Sequence, residues 1–285
     1  MNLLSGKLIN AKFGRLLANA LAGIAPGTSA KLSHACWTKT WRFQRPAREL
    51  NCLRQATQNL LRVEGQDIVL YSWGEGPKVL LIHGWNGRAT QYFAYVDALL
   101  EKGFGVLAFD APGHGESSGD QTNVMQVSRL VNTIHQRYGR FEAMIGHSFG
   151  FLVAVNALRL GVKTNAMIGI SSPADFGLLL AFFCKGFALN SKAETALTEF
   201  LKTRYGLKHF DEISAHVLAR EFKFPCLIIH DERDNQVPVS EARKIAKAWP
   251  ASELLITKGL GHMRILRDPS IIRQSIAFLG KSKLC

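Results

Sequence analysis

Residues 143–155 read AMIGHSFGFLVAV, a run that begins as a buried strand, ends as an apolar helix and sets His147 and Ser148 between Gly146 and Gly150 at the junction. Small residues on both sides of a serine let neighbouring backbone pass close at a sharp strand-to-helix turn. A serine held there can serve as a nucleophile, as a polar helix cap, or survive as the remnant of a lost active site. The rest of the chain has to decide.

Outward from this stretch the pattern is regular. KVLLIHG (78–84) and GVLAFD (105–110) are short, nearly continuous apolar runs of the kind buried on both faces of a parallel sheet, and DIVLYSWG (67–74) alternates as an earlier strand. Between them RATQYFAYVDALLEKG (88–103) reads as a helix closing on Gly103. Helix NVMQVSRLVNTIHQRYG (123–139), strand FEAMIG (141–146), helix SFGFLVAVNALRLG (148–161) and strand AMIGISS (166–172) follow. The chain then closes with strand CLIIH, helix SEARKIAKAW, strand SELLITKG and helix DPSIIRQSIAFLG. Repeated strand-helix-strand units predict an α/β fold, a doubly wound and mostly parallel sheet with helices on both faces.

The alternation breaks at residues 173–224, too long for an ordinary connection, where the apolar spacing predicts two to four short helices forming a small helical cap insertion over the strand ends. The expected organisation is a basic N-terminal helical arm over 1–59, a core over 60–172 and 225–285, and the cap over 173–224. FQRPAREL (43–50) marks the passage from arm to core.

In such a sheet, sites form at the carboxyl ends of the strands. Those ends carry His83-Gly84-Trp85-Asn86-Gly87, then Ala111-Pro112-Gly113-His114-Gly115, then Ser148, Asp234 and His262. Three strand ends thus supply a nucleophile, a carboxylate and an imidazole, in the chain order Ser, Asp, His.

Over residues 60–280 the chain resembles the α/β-hydrolase superfamily. GHSFG matches the G-x-S-x-G nucleophile elbow, HGWNG the oxyanion loop, DAPGHGESSG the turn after the next strand, HDERDNQVP the acid loop and GLGH the histidine loop. More narrowly it is similar to the bacterial lysophospholipase and serine-aminopeptidase-like branch. The resemblance implies Ser148 as nucleophile, His262 as the base that takes and returns its proton, and Asp234 as the group that fixes the imidazole tautomer. It implies backbone N–H groups of Trp85 and Phe149 as the oxyanion hole. Asp231 competes with Asp234, and the family's spacing before Val237-Pro238 favours Asp234. His83 and His114 are expected to brace turns, while His147 lines the pocket or packs. Phe182, Phe183 and Phe187 wall an acyl site or form core. The family pattern has Gly or Ala where Phe151 stands, and this ring either narrows the space behind the nucleophile or turns into the helix-sheet interface.

Composition bounds the partners. Five scattered cysteines without a CxxC or Cys/His cluster argue against disulfides and structural zinc, and no metal or cofactor is expected. The formal net charge of +13 is concentrated at the start, where residues 1–62 hold ten basic side chains against Glu49 alone. Ile9, Phe13, Leu16, Leu17, Ala20, Leu21 and Ile24 recur there at helical spacing with Lys12, Arg15 and Asn19 opposite, which describes a basic amphipathic helix. Residues 1–30 can therefore make peripheral contact with an anionic membrane or dock on their own domain. LLANALAGIAPGTSA (16–30) also bears a weak likeness to a secretory signal, and no run of 18 apolar residues occurs. No nucleic-acid-binding motif accompanies the charge, so no nucleic-acid partner is expected; the unpaired cysteines point to a cytoplasmic location, with membrane association through residues 1–30 as the variant of it.

The expected function is a serine esterase acting on a small-molecule carboxylic ester through an acyl-enzyme. Lysophospholipase, thioesterase and aminopeptidase chemistries share the machinery; Glu194, Glu199, Asp211 and Glu212 could anchor an amino terminus for the last. A membrane-peripheral binding protein with little turnover is the alternative of another class.

Overall fold

The computed structural model describes residues 13–282. They form two compact units: the described chain through Lys39 with Asp175–Glu212, and Thr40–Ala174 with the chain from Ile213 onward. Ile9 and Lys12 of the expected basic helix lie outside the described residues.

The larger unit is built on an eight-stranded sheet: β1 (Thr57–Val63), β2 (Gln66–Trp73), β3 (Lys78–Ile82), β4 (Gly105–Phe109), β5 (Phe141–His147), β6 (Thr164–Ile170), β7 (Cys226–Asp231) and β8 (Ser252–Thr257). Its spatial order is β1-β2-β4-β3-β5-β6-β7-β8. β2 pairs antiparallel with β1 and β4, and all remaining pairs are parallel. Every residue of β4 and β7 is buried, which is why these runs carry no polar alternation. β1 adds a strand ahead of the patterned region. It is mostly exposed and lacks an apolar stripe, and it turns into β2 through Glu64 and Gly65, both at positive φ.

This strand order positions the site. From β3 the chain crosses to β4 on one side and then returns to β5 on the other, so the strand order reverses at β3. Diverging connections leave a crevice beyond the carboxyl ends of the strands at such a point. The loops after β3 and β5 both open there, and they hold Trp85 and Ser148.

The smaller unit is helical. It contains a helix whose described part is residues 13–21, then Pro26–Thr38, Phe176–Gly186 and Ser191–Tyr205. Asp175 and Asn190 cap the last two helices through their side chains, and Gly206 ends the second in the left-handed conformation. Leu180, Cys184, Leu197 and Leu201 make its core, with Trp37, Phe183 and Phe210 packed on them. Among the described residues no helix is long and apolar enough to cross a membrane.

Candidate active site

Ser148 sits between β5 and the helix Phe149–Arg159 at φ 52 and ψ −120, a backbone conformation rare for any residue with a side chain. A capping serine would adopt an extended backbone and accept an N–H from the first turn. Ser148 makes no such bond, and its own N–H is pinned to the Ile170 carbonyl at 2.8 Å. The flanking glycines are required by close approach: a Cβ at Gly146 would stand 2.5 Å from the Phe151 Cα, and one at Gly150 would overlap the Ile82 carbonyl oxygen. Phe149 opens the helix, so its N–H has no intrahelical acceptor and the positive end of the helix dipole lies at the turn.

Two loops bring His262 and Asp234 together. His262 Nδ1 lies 2.7 Å from Asp234 Oδ2, and the Asp234 side chain is fully buried. The other carboxylate oxygen accepts the N–H groups of Gln236 and Val237 at 2.8 and 3.0 Å. Burial alone would raise this carboxyl, but the bonds from His262, Val237 and Gln236 outweigh it and hold Asp234 below the ordinary carboxylate range. With Nδ1 turned to Asp234, Nε2 is the ring nitrogen left to accept a proton. The His262 ring is 4.7 Å between centroids from that of His147, the neighbour of Ser148.

Asp231 has a different task. As the last residue of β7 it accepts from Thr257 Oγ1 at 2.7 Å and from the N–H groups of Arg233, Gly259 and Leu260. Burial would raise its carboxyl too, yet these donors hold it far below the usual range. Asp231 therefore ties the acid loop to the histidine loop, and Asp234 faces the imidazole.

The loop after β3 completes the cluster. A Cβ at Gly84 would come within 3.3 Å of Ser148 Cβ, so this loop runs against the elbow. The rings of Trp85 and Phe149 meet edge to face at 5.0 Å. Asn86, at φ 58, donates its N–H to His114 Nε2 at 2.9 Å and accepts the Trp41 N–H on Oδ1 at 2.8 Å. His83 Nε2 accepts the Ala111 N–H at 3.0 Å. Burial lowers His83 to about 4 and His114 to about 3, so both rings stay neutral and keep the acceptor nitrogen these bonds need.

Residues 79–272 match the alpha/beta hydrolase family. The chain belongs to that family. Among curated proteins, pimeloyl-(acyl-carrier protein) methyl ester esterase of Vibrio vulnificus is 23% identical over 255 residues, covering 75% of this chain and 99% of that protein. Among solved structures, an esterase from Rhodococcus sp. superposes with a TM-score of 0.60 at 18% identity, covering 79% of this chain and 98% of the other. A membrane phospholipase A superposes with a TM-score of 0.64 at 18% identity and covers 99% of each chain. The chain is thus an enzyme of the alpha/beta hydrolase type, with esterases and serine hydrolases among its sequence relatives.

The remaining residues singled out in this hydrolase fall into place. Phe151 is fully buried and turns into the helix-sheet interface, its ring tilted against Trp249 at 6.3 Å. The ring occupies the space beside Gly169, where a Cβ would meet it at 2.7 Å. Phe183 packs on Trp37 at 5.0 Å and stacks on Phe187 at 5.2 Å, within the smaller unit. Phe182 is exposed. Glu199 pairs with Lys202, and Glu212 accepts the Lys208 and His209 N–H groups.

Three further residues support the site, Asp110 and His230 at the heads of the DAPGHGESSG and HDERDNQVP stretches and Arg88 in no motif. Asp110, the residue after β4, accepts from Ala89 N, Glu116 N and the Tyr71 hydroxyl. Arg88, one residue past the HGWNG loop, makes a buried two-pronged pair with Glu49 at 2.6 and 3.0 Å, and Thr90 donates to the same carboxylate. His230 lies 3.5 Å from Asp234 behind the acid. Asp110 follows an apolar strand and opens the DAPGHGESSG stretch, which are its signals in the sequence. Arg88 and Glu49 are 39 residues apart and give none.

Proposed function

We propose that this hydrolase is a serine esterase that cleaves carboxylic esters through an acyl-enzyme formed on Ser148. The observation that carries the reading is the strained, non-capping Ser148 at a helix N-terminus with a buried Asp234–His262 pair beside its neighbour His147. Ser148 Oγ attacks the ester carbonyl as its proton passes to His262 Nε2. The carbonyl oxygen becomes an oxyanion and accepts the backbone N–H groups of Phe149 and Trp85. Asp234 holds the imidazole tautomer and stabilises the imidazolium. The tetrahedral species collapses when the carbon–oxygen bond to the leaving alcohol breaks and His262 returns the proton to that oxygen. Water, deprotonated by His262, then attacks the acyl-Ser148 ester, and the proton goes back to Ser148 as the acid departs.

An ester substrate is favoured over an amide or thioester because methyl ester esterases are among the relatives that match most of this chain. The test is a turnover screen of wild type against Ser148→Ala over p-nitrophenyl esters of graded chain length, thioesters, aminoacyl amides and lysolipids. Ester hydrolysis abolished by the substitution is expected. Ester turnover that survives it, or turnover confined to amides, overturns the reading.

A further inference from the structure

The helix over residues 13–21 is oriented the wrong way for one that stabilises its own domain. Such a helix buries its large apolar side chains. Here Phe13 is 67%, Leu16 59% and Leu17 38% exposed, and Ile24 in the following turn is 83% exposed. Ala18 and Ala22 are the buried residues of the segment, and a Cβ at Gly14 would lie 3.3 Å from Cys36 Sγ. Gly14, Ala18 and Ala22 recur every four residues, so the helix packs through its small side and turns its large side to solvent.

This orientation is fixed by hydrogen bonds. Asn19 donates its side-chain amide to the Ala188 carbonyl at 3.0 Å, accepts the Asn190 N–H at 2.9 Å, and offers its backbone carbonyl to Asn190 Nδ2 at 3.2 Å. Ser29 Oγ donates to the Ala18 carbonyl at 2.7 Å. The helix cannot roll to bury Phe13, Leu16 and Leu17 without breaking these bonds.

We propose that the outward face of Phe13, Leu16, Leu17 and Ile24 is a docking surface for an anionic lipid bilayer, with the helix lying in the plane of the interface. Charge selects this occupant. Residues 1–39 contain five basic side chains, Lys7, Lys12, Arg15, Lys31 and Lys39, and no acid. An amphipathic helix of that kind sinks its apolar face to the acyl boundary and is held by attraction to acidic headgroups. The proposal is independent of the esterase reading.

The experiment is sedimentation of the full chain with vesicles of phosphatidylcholine alone, and with about one part phosphatidylglycerol to three parts phosphatidylcholine. The comparison is the variant F13S/L16S/L17S/I24S, whose four changes lie on exposed positions. Wild type is expected to sediment with the anionic vesicles and release at high salt, and the variant to bind at least about tenfold more weakly. Equal sedimentation of both proteins overturns the proposal. So does a wild-type dimer that dissociates in the variant while neither binds vesicles, because the face then covers a second copy of the chain. Hydrolysis of a short soluble ester, measured alongside, remains equal in the two proteins and reports on the esterase reading separately.

Discussion

His147 donates its Nε2–H to the backbone carbonyl of His262 at 2.9 Å, so the residue before the candidate nucleophile holds the backbone of the candidate base. Burial first, and the neighbouring His262 second, lower His147 to about 3, which keeps the ring neutral while it donates. Replacing it with Ala is expected to lower kcat about fivefold with little change in KM, since one positioning hydrogen bond of roughly 1 kcal/mol is lost. His147→Gln keeps a donor and should recover part of the loss. Steady-state kinetics on a short p-nitrophenyl ester checks both, and a KM effect alone contradicts the positioning role.

The two aspartates of the acid loop should separate cleanly. Asp234→Asn leaves the geometry near His262 but offers the wrong partner to Nδ1, and kcat is expected to fall by about four orders of magnitude with a small change in melting temperature. Asp231→Asn replaces one of two acceptor oxygens, each serving two donors, with an NH2 group that faces those donors, so its main effect is expected on stability, at roughly 2 kcal/mol. Thermal melts and rates on both variants check this. Equal kinetic effects would contradict the division.

Acid should destabilise the fold before any carboxylate titrates. His83, His114 and His147 are buried and depressed from 6.5 to about 4, 3 and 3. Below pH 6.5 the unfolded chain takes up protons that the folded chain refuses, so stability is complete above that pH and falls as pH drops toward about 4, by up to about 1.4 kcal/mol per pH unit for each ring. Asp231 and Asp234, held low in the fold, extend the loss through the carboxylate range. Urea midpoints measured from pH 7 to pH 4.5 check the slope, and His114→Gln should flatten it by about one proton. A constant midpoint over that range contradicts the buried neutral rings.

Phe151 and Gly169 act as one packing unit. Gly169→Ala drives a methyl into the Phe151 ring and is expected to cost about 1 to 3 kcal/mol, which Phe151→Leu in the same chain should partly relieve. Phe151→Leu alone should leave the ester chain-length preference unchanged, because the ring faces Trp249 in the helix-sheet interface. Stability and chain-length profiles on the single and double variants check the pair; a shifted profile in Phe151→Leu would put the ring in the substrate path.

The sheet and the site were legible for local reasons. Buried parallel strands such as Val79–Ile82 need unbroken apolar runs, and the elbow at Ser148 needs glycines on each side because β3 backbone passes against Gly150. Those constraints act within a few residues and so leave a pattern. What did not show is set by distant partners. Glu49 gives no sign that it meets Arg88, because a buried ion pair is specified by the fold that joins its halves. Phe151 could not be aimed from its own position, since the space it fills exists only because Gly169 lies on the neighbouring strand. The direction of the helix over 13–21 depends on Asn19 meeting Asn190, and amphipathic spacing alone does not say which face a domain will take.

Ser148 is the proposed carrier of the covalent acyl intermediate. Labelling of the full chain with a fluorophosphonate probe, followed by mass spectrometry of the modified peptide, tests it most directly. The expected result is one phosphonyl adduct on Ser148, absent in Ser148→Ala and much slowed in His262→Ala. Labelling of another residue, or none under conditions in which wild type hydrolyses esters, would contradict it.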